Sequence, residues 1–234
     1  IDVWAMDVAR FGDYASPQYG TIKSSENYER RFIMTFPNET LPKGRKQKTT
    51  ALYDRFVNQG AVMGDSFGLE SVLWFAKNED DAHEEPTIKR SRSHNYVSKE
   101  VINVRENVGA IEVANFSKHE FKGPDSRKFL DYVMAGRLPK PGRISLTPML
   151  TKKGKLYGDL TVACIDEDEF MIFGSGAAQE MHRRWFETHM SKFNLSYKNR
   201  SDELHGIGIA GPKSRDLLQK IVREDVSNNK FKFR

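Results

Sequence analysis

The segment from Lys155 to Cys164, KLYGDLTVAC, puts an ionisable side chain in the middle of a strand pattern. Period-two alternation predicts Leu156, Leu160, Val162 and Cys164 on one face, with Tyr157, Asp159 and Thr161 on the other. Aspartate is depleted from strand interiors, so Asp159 needs a reason to be there. Two reasons are open. The commoner one is a solvated carboxylate on the open face of an antiparallel sheet. The functional one is a carboxylate lining a ligand cavity beside an aromatic ring.

A second candidate is Gly174-Ser175-Gly176-Ala177-Ala178-Gln179, which follows a strand and opens a helix. The dinucleotide-binding fingerprint wants Gly or Ala at its sixth position, where this chain has Gln179, and no second strand ending in an acidic residue follows at the right distance. The segment reads instead as a tight turn of small residues at a helix N-terminus, which could still present amide groups to a polar ligand. The six histidines, at 83, 94, 119, 182, 189 and 205, show none of the short paired spacing that a helical zinc site requires and read as structural or surface residues. The single cysteine, Cys164, falls on the apolar side of its strand and reads as a small core residue. One cysteine excludes an internal disulfide framework and a cysteine-based zinc site, and a reducing compartment is its natural setting. The sequence holds no serine nucleophile elbow and no phosphate-binding loop.

The elements that must position these residues can be placed from periodicity and punctuation. A helix is expected from Pro17 to Phe32, a Pro-, Gly- and Lys-rich loop from Pro37 to Thr50, and a short helix from Ala51 to Gln59. Gly60, Gly64 and Gly68 punctuate a strand-and-turn region ending in Trp74-Phe75. The acidic stretch from Lys77 to Pro86 lacks apolar periodicity and reads as a linker, which sets a domain boundary near residue 88. Beyond it come a helix from Lys99 to Val108 capped by Gly109, strands from Ala110 to Phe116 and Lys118 to Lys122, and a helix opened by Pro124 with Phe129, Leu130, Val133 and Met134 as its apolar stripe. Strands are expected from Arg143 to Leu150, Lys155 to Ile165 and Phe170 to Gly174, followed by a helix from Ala177 to Met190, a strand from Leu204 to Ala210 and a last helix opened by Pro212. Turn-linked strands among helices imply an α+β fold with mixed, largely antiparallel sheets and packed helices.

The 234 residues are 38% hydrophobic and 11% aromatic, enough for a packed core, and no apolar run is long enough to span a membrane. The opening Ile1-Asp2-Val3-Trp4 already reads as structured sequence with no signal-peptide pattern, so the chain is expected to begin inside a larger protein. A net charge of +5 suits an ordinary surface or the attraction of an anionic ligand. The basic clusters at Lys43 to Lys48 and Lys89 to Arg92 are not interleaved with aromatics, so no nucleic-acid partner is expected.

Several segments resemble the dimethylglycine and sarcosine dehydrogenase family in the right order. These are Asn115-Phe116-Ser117-Lys118, Gly123-Pro124-Asp125, Gly142 to Leu150, Gly158-Asp159-Leu160-Thr161-Val162, Gly174-Ser175-Gly176, Arg184-Trp185-Phe186, Gly208 to Pro212 and Glu224 to Asn228. Upstream, Asp7 to Gly12, Gly68-Leu69-Glu70 and Leu73-Trp74-Phe75 resemble the end of the flavoprotein part of the same family. The resemblance implies residues 1–88 as the tail of an FAD-dependent oxidoreductase region and residues 89–234 as the first part of an aminomethyltransferase-type folate-binding domain. It implies a flavin-dependent oxidation of an N-methylglycine, with FAD held outside this stretch, and capture of the one-carbon unit by tetrahydrofolate as 5,10-methylenetetrahydrofolate. In the related glycine-cleavage proteins an aspartate on the corresponding strand lies at the folate, which implies Asp159 as the catalytic residue. Tyr157, Thr161, Ser175 and Gly176 are the implied folate-binding residues. The cleavage-system proteins carry Asn near the position of Ser175. The implied partners are folate and a small-molecule substrate. The implied location is cytoplasmic for a bacterial protein and the mitochondrial matrix for a eukaryotic one. A non-catalytic regulatory relative and a stand-alone folate-dependent transferase are the competing readings.

Overall fold

The computed structural model describes residues 7–36 and 39–232. In chain order the helices are α1 (Pro17–Glu29), α2 (Tyr53–Asn58), α3 (His94–Glu106), α4 (Ser126–Val133), α5 (Gln179–His189) and α6 (Ser214–Ile221). The strands are β1 (Ala61–Ser66), β2 (Leu69–Phe75), β3 (Gly109–Glu112), β4 (Phe116–Lys122), β5 (Arg143–Leu150), β6 (Leu156–Asp166), β7 (Glu169–Ser175), β8 (Ser196–Asn199) and β9 (Ile207–Ala210). They divide into two compact units. Of the described residues, one holds 7–12 together with 113–206, and the other holds 13–36, 39–112 and 207–232. Residue 88 falls within the second of these.

The unit of residues 113–206 is built on a five-stranded sheet of order β5-β6-β7-β4-β8, antiparallel throughout. Short connections, five residues between β5 and β6 and two between β6 and β7, make consecutive strands neighbours. One face of this sheet is covered by α4 and α5. Phe121, Phe129, Leu160, Val162, Phe170, Ile172 and Phe186 are fully buried there, and Cys164 joins them. Phe121 meets Phe186 edge-on at 5.0 Å between ring centres. Burying each such ring stabilises the unit by about 1.5–3 kcal/mol.

The other unit contains the β1–β2 hairpin, the β3–β9 pair and helices α1, α2, α3 and α6. The hairpin turns on Phe67-Gly68, both at positive φ, and Tyr14 covers Gly68 so closely that a Cβ there would lie 2.5 Å from its ring. Members of both basic clusters of the sequence are ion-paired inside this unit. Arg45 makes a two-pronged ion pair with the buried Glu70, Lys43 reaches Glu29, and Arg92 bridges Asp81 and Glu85.

Several boundaries differ from the periodic reading. α3 begins at His94 rather than Lys99, and Gly109 opens β3 rather than capping the helix. The break between β3 and β4 lies at 113–115, so Ser117 sits within a strand and is fully buried. β9 is shorter than expected, and β8 was not anticipated, because Ser196-Tyr197-Lys198-Asn199 has too little apolar alternation to announce an edge strand.

Candidate functional site

Strand pairing builds the candidate face from Asp159 outward. Asp159 pairs with Pro148 on β5, and Thr161 pairs with Leu146 on β5 and Phe173 on β7. Extending the β6–β7 register by two residues brings Asp159 opposite Ser175, which itself pairs with Phe116 on β4. Side chains directly opposite on neighbouring strands share a face. Pro148, Asp159, Ser175 and Phe116 therefore form a row across four strands, with Leu146, Thr161 and Phe173 in the row beside it. This is the face opposite the α4–α5 core. Asp159 and Ser175 are exposed and Thr161 is half-buried. Leu146 is 63% and Phe116 48% exposed. The result is a carboxylate and two hydroxyls set among apolar side chains, which suits a flat ring system carrying amine protons.

The alternation correctly puts Leu160, Val162 and Cys164 on the buried face and Asp159 and Thr161 on the other. It fails at the start of β6. There Met149 pairs with Gly158 but Leu150 pairs with Leu156, so Tyr157 is an extra residue in the ladder. Leu156, expected in the core, is 66% exposed. The Tyr157 ring, expected beside Asp159, lies against Trp185 of α5 at 4.3 Å, and Trp185 continues to His189 at 4.4 Å. Burial raises the Tyr157 pKa.

Ser175 ends β7, and Gly176 begins a 3-10 turn, Gly176–Ala178, that leads into α5. A Cβ on Gly176 would lie 1.9 Å from the Asn115 carbonyl oxygen. The glycine is there because main chain passes over it. That space is not open to a phosphate, so the Gly174–Gly176 turn does not fit a flavin or other dinucleotide.

On the core side of the same strands lies a polar cluster that motif reading did not single out. His119 of β4 is fully buried, His182 of α5 is 2% exposed, and their ring centres are 6.3 Å apart. The hydroxyl of Tyr197 meets His119 Nδ1 at 2.8 Å. Burial holds the pKa of His119 down at about 3 and that of His182 at about 4, so both rings are neutral near pH 7. Burial raises the Tyr197 hydroxyl pKa. Two signals mark the cluster in sequence. His182 is four residues before Phe186 on one helix face, and the glycines of β6 and β7 mark a close approach.

A cavity of about 580 Å³ in the other unit, bordered by Trp74, Ile88, Lys89, Arg90 and His94, contains none of the candidate residues.

The fold recurs in the crystal structure of glycine cleavage system aminomethyltransferase T from Bartonella henselae, with a TM-score of 0.59 and 18% identity over 74% of this chain and 43% of that one. The chain belongs to the GCVT N-terminal domain family, whose model matches residues 52–234. Residues 1–50 match the FAD dependent oxidoreductase central domain. Among curated proteins, the human mitochondrial dimethylglycine dehydrogenase is 34% identical over 99% of this chain. Mouse mitochondrial sarcosine dehydrogenase is 24% identical over the same share, and an aminomethyltransferase of Thermosipho melanesiensis is 29% identical over 76%. The chain spans 27% of the human dehydrogenase, 30% of the mouse enzyme and 45% of the aminomethyltransferase. Among the described residues no helix is long and apolar enough to cross a membrane.

Proposed function

We propose that this chain is the folate-handling part of a flavin-dependent N-methylglycine dehydrogenase or oxidase, taking dimethylglycine or sarcosine, and that its outer sheet face binds tetrahydrofolate. The observation that carries the reading is the row of Asp159 and Ser175, with Thr161 beside them, between the exposed apolar side chains of Leu146 and Phe116. Joint matches to a GCVT domain and an FAD-dependent oxidoreductase central domain support the pairing of the two chemistries. Oxidation of the N-methyl group leaves an iminium, which water would hydrolyse to free formaldehyde; one tetrahydrofolate amine attacks its carbon, the second displaces the demethylated amine, and 5,10-methylenetetrahydrofolate forms with release of one proton. Asp159 orients the attacking amine and accepts its proton as the carbon–nitrogen bond forms. Thr161 and Ser175 supply hydroxyls that hold the ring system, and Leu146 and Phe116 exclude water from its edges. Tyr157 enters through its tilted ring pair with Trp185 at the start of β6, and Gly176 by letting the Asn115 segment lie close beside Ser175. FAD belongs to other sequence in this reading, and no step here passes through it.

We place the junction of the flavoprotein and folate parts near residue 88, in the irregular stretch between β2 and α3. Limited proteolysis of the full-length protein tests it, and cleavage confined to other loops counts against it. Relatives named mitochondrial support a mitochondrial location for a eukaryotic protein, which we take to be the matrix, and we propose the cytoplasm for a bacterial one. The site itself is tested by titrating tetrahydrofolate into the full-length protein. Leu146→Glu puts a like charge beside Asp159 and is expected to weaken binding about tenfold or more, a change of about 1.4 kcal/mol. Tyr132→Glu, on α4 across the sheet, is the control. Equal affinities for the two variants refute the site.

A further inference from the structure

His182 reaches the candidate face from behind. The position that a Cβ would take on Gly158 lies 2.8 Å from its Nε2, and the corresponding position on Gly174 lies 3.1 Å from its Nδ1. One imidazole thus sits across two adjacent strands, in a notch that exists because both residues are glycine. Gly158 immediately precedes Asp159, and Gly174 immediately precedes Ser175. Consecutive strand residues point to opposite faces. The ring therefore bears on β6 and β7 at the two points that carry Asp159 and Ser175 on the outside.

An apolar side chain could fill this notch at lower cost. Neither ring nitrogen of His182 has a hydrogen-bond partner of normal geometry, although the Tyr157 carbonyl is near enough to favour the protonated ring slightly. The Ser117 hydroxyl, also without a partner, is 3.1 Å from the same Gly174 position as Nδ1. A buried polar group left unpaired costs about 1–3 kcal/mol. Departures of this kind from good core design concentrate where function demands them.

We infer that His182 is a positioning residue, seated in the Gly158–Gly174 notch so that it fixes the spacing of β6 and β7 and with it the placement of the Asp159 carboxylate relative to the Ser175 hydroxyl. This rests on the reading of the outer face as the tetrahydrofolate site. His182 touches no reacting atom and acts through the backbone of the two strands.

The test uses the full-length protein and four variants: Gly158→Ala, His182→Gln, the double variant Gly158→Ala/His182→Ala, and Asp159→Asn. Two quantities are read: the dissociation constant for tetrahydrofolate, and the ratio of 5,10-methylenetetrahydrofolate to free formaldehyde, with flavin reduction by the methylamine substrate as the folding control. Gly158→Ala drives a methyl group into Nε2. It is expected to lower the product ratio by about ten- to a hundredfold, since small misplacements of a reacting group have effects of that order. The double variant, in which the smaller side chain makes room for the methyl, is expected to recover most of the loss. His182→Gln, which leaves both glycines in place, covers the case in which Gly158→Ala does not fold and is expected to show a smaller loss of the same kind. If Asp159→Asn lowers the ratio while Gly158→Ala and His182→Gln change only thermal stability, the positioning role is wrong and the site reading stands. If Asp159→Asn is silent, the site reading falls and this inference with it, whatever the other variants do.

Discussion

The two faces of the five-stranded sheet are made by the same strands and differ in nearly everything else. The inner face is closed by α4 and α5 around Phe121, Phe129, Phe170 and Phe186. Polar groups are buried on it too, among them His119, His182, Ser117, Ser126 and Thr147. The outer face leaves Asp159 and Ser175 exposed beside Leu146 and Phe116. A strand with period two must serve both faces at once. β6 does so by alternating Leu160, Val162 and Cys164 inward with Asp159 and Thr161 outward. Stability is expected to reside on one side of this sheet and chemistry on the other.

The comparison can be broken by substitutions whose cost to stability should decline from the inner face outward. Phe186→Ala empties a fully buried position where α5 meets His119 and Phe121. It should cost about 3–5 kcal/mol in urea unfolding. A loss below about 1 kcal/mol would mean that the inner face does not hold the unit together. Gly176→Ala comes next, because its methyl group would overlap the Asn115 carbonyl and force the main chain apart at the β7–α5 junction. A loss of about 1–3 kcal/mol is expected, together with weaker tetrahydrofolate binding through the displaced Ser175. A variant as stable as the parent would show that the two segments are not in contact.

Acid should separate the faces by titration. Both buried histidines have folded-state pKa values below the usual 6.5, at about 3 for His119 and about 4 for His182. Between pH 6.5 and about 4 the unfolded chain therefore binds more protons than the folded one. Their contribution to stability is fully present above pH 6.5 and is lost as pH falls through that window, by at most about 1.4 kcal/mol per pH unit for each histidine. His182→Phe should make the stability–pH curve shallower there. An unchanged slope would mean that His182 is protonated or solvated in the folded protein. The smallest effect belongs to the outer face: Asp159→Asn should change unfolding free energy by no more than about 0.5 kcal/mol. A larger loss would turn Asp159 into a structural residue.

Much of this division was legible in the sequence. The alternation in KLYGDLTVAC separated Leu160 and Val162 from Asp159, and the apolar stripe of Phe129, Leu130 and Val133 marked the buried side of α4. The failures have local causes. Alternation assumes an unbroken ladder, and the extra residue at Tyr157 turns that ring to Trp185 while exposing Leu156. Edge strand β8 is held by pairing with β4 rather than by an apolar pattern of its own. His119 and His182 carry no motif spacing, and their meaning lies in what faces them: Gly158 and Gly174 on other strands, which only the fold brings together.

The central claim is that the outer face captures a one-carbon unit on tetrahydrofolate through Asp159. Its most direct test is the ratio of 5,10-methylenetetrahydrofolate to free formaldehyde made by full-length Asp159→Asn protein at saturating tetrahydrofolate, each normalised to flavin reduction. A positioned acid–base group is worth about 10²–10⁴-fold in rate, and capture of an iminium is intrinsically easy, so a fall of about a hundredfold is predicted. A ratio equal to that of the parent would contradict the account and leave Asp159 a solvated carboxylate on an open sheet.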